Sequence, residues 1–142
     1  MTGHSDSDWA GCRVARKSTS GGVVMSGGPF LQGRSRTQSN VTQSSAEAEL
    51  YALVRCSAEL PGMRNMMRDW GADRSGVVHA DSSAALAIAK SKGAGKQRHI
   101  NVSSLWIREK QDVKELELRN VLGKENLADM MTKCLALSLI HI

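Results

Sequence analysis

The segment GVVHADSSAALAIAK at residues 76–90 sets a short β-prone run, a single carboxylate and an alanine-rich run side by side. Val77 and Val78 favour an extended backbone, whereas SSAALAIAK has alanine as its best helix former and serine at its start, where a side-chain oxygen can cap free backbone amides. Strand, carboxylate, helix is an α/β arrangement, and Asp81 falls at the strand-to-helix junction where open α/β sheets place their ligands.

Upstream, residues 2–38 are rich in Gly, Ser and Thr, with β-prone pieces (GGVVMSG, PFLQGRS) and turn clusters at RKSTSGG and SGGP, which predict a three-stranded antiparallel meander. From Ser44 the composition switches to SSAEAELYALVRCSAEL, a long helix that Ser44 or Ser45 caps and whose positive end Glu47 or Glu49 favours. Pro61-Gly62 predicts a kink or interruption, after which Met63, Met66, Met67 and Trp70 recur at helical spacing as core filler. Downstream of Lys90, SKGAGKQRHIN reads as a basic, glycine-bearing loop. VSSLWIREKQ reads as a helix with Val102, Leu105 and Trp106 on one side, KELELRNVL as a strand, and KENLADMMTKCLAL as a closing helix. The order predicts one mixed sheet covered by helices.

The 142 residues suit one domain, and no apolar run approaches the roughly 20 residues of a membrane span. The expectation is a soluble, intracellular chain. Cys12, Cys56 and Cys134 lack the spacing of a zinc site or a disulfide framework, and Cys56 is expected to pack. Nineteen Lys and Arg against fourteen Asp and Glu leave +5, which leans toward a polyanionic partner. No glycine-rich phosphate loop of the Walker or dinucleotide type is present, so nucleotide hydrolysis and hydride transfer lose their usual support.

Four acids stand where solvation alone does not account for them. At 100° per residue Glu49 lies within about 60° of Ala46, Ala52, Leu53, Cys56, Leu60 and Met63, whereas Glu47 points to nearly the opposite side. Asp81 ends an apolar strand, Asp129 sits in an apolar helical segment, and Asp6 ends the first strand. Each has a bland alternative: a helix cap for Asp81, a first-turn acid for Asp129, a partner of Arg16 or Arg64 for Glu49, a turn former for Asp6. Together, in a basic chain, they point to a divalent-metal cluster with nucleic acid as ligand, because hard cations prefer carboxylate oxygens and keep positions open for water and phosphate.

The pieces GHSDSDWAG (3–11), RKSTSGGVV (16–24), SSAEAELYAL (44–53), HADSSAALAIA (79–89), KQRHINVSSLWIREK (96–110) and KENLADMMTK (124–133) run in one order along nearly the whole chain. In them the sequence resembles the ribonuclease H domain of copia-type (Pseudoviridae) retrotransposon polyproteins. The resemblance implies an α/β ribonuclease H-like fold, with a five-stranded mixed sheet of three antiparallel then two parallel strands flanked by helices. It assigns residues 1–134 to that domain and leaves the tail 135–142 unassigned. It also implies hydrolysis of the RNA strand of RNA–DNA hybrids with two Mg²⁺ ions, Mn²⁺ substituting, leaving 5′-phosphate and 3′-hydroxyl ends.

By the same resemblance Asp6, Glu49, Asp81 and Asp129 are the catalytic and metal-holding acids, Asp6 and Asp81 bridging the metals. Asp8 would shape the strand end or support the ligands from outside. The implied partners are the hybrid and the reverse transcriptase domain of the parent polyprotein, with no membrane, in a cytoplasmic virus-like particle or the nucleus. Candidate substrate contacts are Ser7, Ser82 and Ser83 toward ribose 2′-hydroxyls, and Arg16, Lys17, Lys92, Lys96 and Arg98 toward phosphates, against a bland reading of the basic residues as a solvated loop. His99 is a phosphate-contacting residue, a stand-in for the loop histidine of cellular enzymes that NVLGKENLAD lacks, or a helix-start or packing residue. Cys134 stands where the family has proline. The alternative function is a degenerate copy that binds nucleic acid without cleaving it.

Overall fold

The structure is a computed structural model and describes residues 1–12, 14–72, 74–91 and 98–133, with the side chains of 98–101 and 103 left aside. Lys92, Lys96, Cys134 and the tail therefore lie outside the described residues. Five strands form one sheet: β1 (Thr2–Asp8), β2 (Thr19–Met25), β3 (Phe30–Thr37), β4 (Gly76–Ala80) and β5 (Leu116–Asn120), in the order β3-β2-β1-β4-β5. The meander β1-β2-β3 is antiparallel, as its turn chemistry predicts, while β4 runs parallel to β1 and β5 parallel to β4. Parallel pairing needs crossovers, and helices supply them: α1 (Ser45–Asp69) precedes β4, and α2 (Ser83–Lys90) and α3 (Arg98–Asp112) link β4 to β5. Two 3-10 turns, Gly123–Glu125 and Leu127–Met131, follow β5. Among the described residues no helix is long and apolar enough to cross a membrane.

Leu50, Leu53, Cys56 and Leu60 of α1 are buried and join one core with Val24, Val78, Leu86, Ile107, Leu116 and Leu118. Each fully buried leucine contributes roughly 1.5–3 kcal/mol. Helix and strand approach closely because residue 3 is glycine: a Cβ there would lie 2.9 Å from Cys56 Sγ and from Leu60 Cδ1. The Cys56 thiol is pushed up to about 12 by burial and donates to the His4 carbonyl, so it packs as expected rather than reacts.

Four expectations need correction. Helix α1 is not interrupted at Pro61. Proline deletes one amide donor, but Leu53, Cys56 and Leu60 before it and Met63 and Met67 after it pack on the same core, and that packing carries the helix through. Met66 and Trp70, read as filler, are exposed. On α3 the inward side is Ser104 and Ile107; Val102 and Leu105 are exposed and Trp106 is partly buried. Ile107 and the small Ser104 set the face, on the opposite side of the helix from Val102. The closing segment forms 3-10 turns through Met131 instead of an α-helix, held by i to i+3 bonds such as Asp129 N–H to the Asn126 carbonyl at 3.1 Å.

Candidate active site

Parallel pairing of β1 with β4 puts their carboxyl ends at the same edge of the sheet, with Asp6 near the end of β1 and Asp81 directly after β4. Helix α1 enters from that edge. Its cap is Ser44, whose Oγ accepts from the Glu47 amide at 3.2 Å, while the Glu47 carboxylate accepts from the Gln43 amide at 2.7 Å. Glu47 is thus buried at its own helix start rather than turned to solvent, a correction to its predicted side: the Gln43 amide, just before the cap, draws it in. Glu49, two positions on, projects toward the strand ends.

Asp6, Glu49 and Asp81 each bring one carboxylate oxygen to within 4.8 Å of the other two. Asp6 is buried, the others half-buried. Burial pushes the Glu49 carboxyl up to about 8, with the Asp6 and Asp81 charges adding and a hydrogen bond from the Ser7 backbone subtracting. Asp6 is also raised, by burial first, then by Asp81 and Asp129, against the lowering effect of the Thr132 hydroxyl and Lys133. Glu49 Oε2 is buried without a hydrogen-bond partner among the described residues. Three crowded carboxylates with an orphaned oxygen are unfavourable in a protein by themselves, and oxygen-seeking divalent cations relieve both defects. The donor set, all carboxylate, fits Mg²⁺ or Mn²⁺ and offers no soft ligand.

Asp129 lies close enough for its charge to raise Asp6 but is not one of the three clustered acids. Lys133, four residues on and just past the 3-10 turn, donates to its Oδ2 at 2.7 Å. Asp8 faces a different task, accepting from the Thr19 amide across the β1-β2 pair. Ser7 Oγ is within 3.3 Å of the Asp8 carbonyl and receives Gln38 Nε2 at 3.4 Å. Ser82 caps α2, accepting from the Ala85 amide at 3.2 Å, and Ser83 is exposed in the first turn of that helix. Arg16 is exposed and Lys17 half-buried on the β1-β2 turn, while Arg98 and His99 begin α3 rather than extending the basic loop.

Two residues escaped the sequence reading. Thr132 donates to Asp6 Oδ2 and lies 3.1 Å from the Asp129 carbonyl, so it ties the closing segment to the first acid. This close approach requires glycine at 21, where a Cβ would sit 2.8 Å from Thr132 Cγ2 and 2.9 Å from the Ala128 carbonyl. Asn126 is buried, donating to the Ser5 carbonyl at 2.9 Å and accepting from the Ala128 amide at 3.2 Å. An asparagine before Leu-Ala-Asp reads only as a turn former; nothing local reveals a partner 121 positions away. Asn126→Ala leaves a buried carbonyl and a buried amide unpaired and is expected to destabilise by about 2–4 kcal/mol, read by urea unfolding.

No protein-family model matches the chain. It is 32% identical over 135 residues, 94% of its length, to the "Retrovirus-related Pol polyprotein from transposon TNT 1-94" of Nicotiana tabacum. It is 29% identical over 136 residues to the corresponding polyprotein from transposon RE1 of Arabidopsis thaliana. The chain spans 10% and 9% of the lengths of those relatives. Among solved structures it is similar to LC11-RNase H1 isolated from compost, with a TM-score of 0.68 at 20% identity, covering 92% of this chain and 90% of that one. LC11-RNase H1 in complex with RNA/DNA hybrid gives 0.64 at 18% identity, covering 92% and 91%. RNase H1 from Halobacterium salinarum gives 0.63 at 16%, covering 92% of each chain.

Proposed function

The chain is a homologue of one segment of copia-type, retrovirus-related Pol polyproteins of plant transposons and has the ribonuclease H fold, and from that premise we propose that it hydrolyses the RNA strand of RNA–DNA hybrids during reverse transcription. The observation that carries this reading is the convergence of Asp6, Glu49 and Asp81 at one end of the sheet with Glu49 Oε2 left unpartnered. Fold alone would serve many activities; this cluster narrows them.

Asp6 and Asp81, from adjacent parallel strands, would hold two Mg²⁺ or Mn²⁺ ions between them, with Glu49 and Asp129 completing the two sets of ligands. When bound, the ions supply an activated water and Lewis acidity toward the scissile phosphate and the departing oxygen. The chain's own residues set the geometry. Thr132 donates to one oxygen of Asp6 and so restrains that carboxylate at the end of β1. Glu49 holds its proton up to about pH 8 in the metal-free protein and must lose it to serve as a ligand. Lys133 holds Asp129 beside the cluster and tempers its charge. No side chain forms a covalent intermediate, and the products would carry 5′-phosphate and 3′-hydroxyl ends. The net charge of +5 favours the polyanionic substrate, with the exposed Arg16 of the β1-β2 turn as a phosphate contact. The rest of the polyprotein, its reverse transcriptase domain included, is the natural partner.

Labelled RNA–DNA hybrid, RNA duplex and DNA duplex, each incubated with Mg²⁺, Mn²⁺ or chelator, test the reading. Metal-dependent cutting confined to the RNA of the hybrid is the expected result. Hybrid binding with no cutting in either metal would reject the enzyme and leave a binding module.

A further inference from the structure

Trp9 follows β1 directly, three positions after Asp6, and is 54% exposed, a large apolar side chain left in solvent, and the hydrolysis described above makes no use of it. Its mounting is specific. The indole Nε1 donates to the Thr42 carbonyl at 3.4 Å, which fixes that edge of the ring while about half of the residue stays exposed. The Ala10 amide donates to Ser18 Oγ at 3.0 Å, Ser18 Oγ is 3.1 Å from Thr42 Oγ1, and the Gln38 amide donates to the Ser18 carbonyl at 2.7 Å. Ser18 and Thr42 are 0% and 5% exposed, so these hydroxyls form a buried lock between the β1-β2 turn and the segment that leads into α1. Ala10 takes a φ of 53°, a left-handed conformation that costs a non-glycine residue roughly 1–2 kcal/mol, and the lock holds it there. A turn kept in an unfavourable conformation to present an exposed indole has a use for it.

Position indicates the use. The turn leaves the carboxyl end of β1, the edge of the sheet where Asp6, Glu49 and Asp81 converge, and Thr42 lies two residues before the Ser44 cap of α1. Arg16 is exposed on the same turn, its backbone amide bonded to the Cys12 carbonyl at 2.7 Å. An exposed indole and an exposed cation on one turn match the two chemistries of a nucleotide, a stackable base or sugar and an anionic phosphate.

We infer that Trp9 is a nucleotide-contacting residue, its indole face packing against a base or sugar of the hybrid beside the acidic cluster while Arg16 meets a neighbouring phosphate. This rests on the hybrid-hydrolysis reading and assigns the substrate's packing surface, which that reading leaves open.

The full chain with Trp9→Ala and with Trp9→Phe tests it, using a short labelled hybrid, by anisotropy in chelator at low salt and by steady-state cleavage in Mg²⁺. Trp9→Ala is expected to raise both Kd and KM about tenfold with kcat within about threefold, at an unchanged melting temperature; Trp9→Phe keeps Kd within about threefold of the parent. Unchanged Kd and KM in a Trp9→Ala protein that still cuts the hybrid overturn the inference and leave the functional reading intact. A melting temperature lowered by several degrees, with Trp9→Phe losing affinity as well, assigns Trp9 to the fold and overturns it too. If the parent chain neither binds nor cuts the hybrid, the functional reading fails and takes this one with it.

Discussion

Asp81→Asn is expected to slow hybrid cleavage in Mg²⁺ by on the order of 10³-fold or more while leaving the fold in place. The substitution is nearly isosteric, and the elements around it keep their own supports: Ser82 still caps α2 and Ala80 stays paired in β4. What disappears is one of three converging carboxyl groups. Asp6 and Glu49 lose a neighbour that raises both, so the variant acids ionise more easily and yet bind divalent cations more weakly, since charge count dominates affinity for hard ions. Asp6→Asn should behave alike. Asp8→Asn is the internal control, because an asparagine oxygen can still accept from the Thr19 amide, and cleavage is expected to change by no more than a few-fold. Asp129→Asn should fall between, since Lys133 already engages that carboxylate. Initial rates on a labelled hybrid, beside circular dichroism of each variant, decide the matter; an Asp81→Asn protein within tenfold of the parent would sink the assignment of the metal cluster.

The architecture was legible where a local rule has one strong reader. GVVHAD followed by SSAALAIAK became β4, Asp81 and α2 capped by Ser82, and SSAEAEL became α1 capped by Ser44, because a serine before an apolar helical run meets free amides that nothing else satisfies. The glycine-rich turns likewise gave the meander, with Gly27 at a φ of 70° between β2 and β3. Legibility failed where distant packing outvotes a local rule. Pro61 has a helix-breaking reputation but sits between turns whose Leu60 and Met63 share a core, and no window of sequence around Pro61 contains that core. On α3, Val102 and Leu105 are as apolar as Ile107, and only the position of the sheet decides which stripe turns inward.

The candidate site divides the same way. Glu49 was identified by helical angle, and Asp6 and Asp81 by strand ends, because those positions follow from periodicity and from parallel pairing. The closing segment could not be read, since its conformation depends on Asn126 reaching Ser5 and Thr132 reaching Asp6, both across more than 120 positions. The residue that makes room for this, Gly21, looks in sequence like any other glycine of a loose strand. Glu47 and Glu49 show how narrow the margin is: two acids two positions apart, one consumed in capping its own helix, the other left without a partner for one oxygen.

Glu49→Gln should abolish cleavage and, in chelator at pH 8.5, stabilise the metal-free protein by about 1–3 kcal/mol. The amide is uncharged and can donate to the carboxylates of Asp6 and Asp81, where the native side chain only repels them. The sign of the pH dependence follows. Glu49 titrates at about 8 in the folded protein against an ordinary value of 4.5, so between those limits the folded state binds more protons than the unfolded one. Its contribution to stability is therefore fully present below the unfolded value, declines as pH rises through that window, and is lost above about 8. Asp6, also raised, works in the same direction, whereas His4 and His79, both lowered by burial, oppose it at the acid end. The difference between parent and Glu49→Gln isolates the one group. Melting temperatures from pH 5 to 9 should show the variant overtaking the parent by several degrees at the alkaline end, roughly 3 °C per kcal/mol for a chain of this size. Mg²⁺ should raise the parent's melting temperature more at pH 8.5 than at pH 6, because the cation binds the deprotonated carboxylate, and should do little for the variant. Parallel pH profiles for the two proteins would show that Glu49 is not held protonated by the fold, and would remove the electrostatic argument for a cation among these acids.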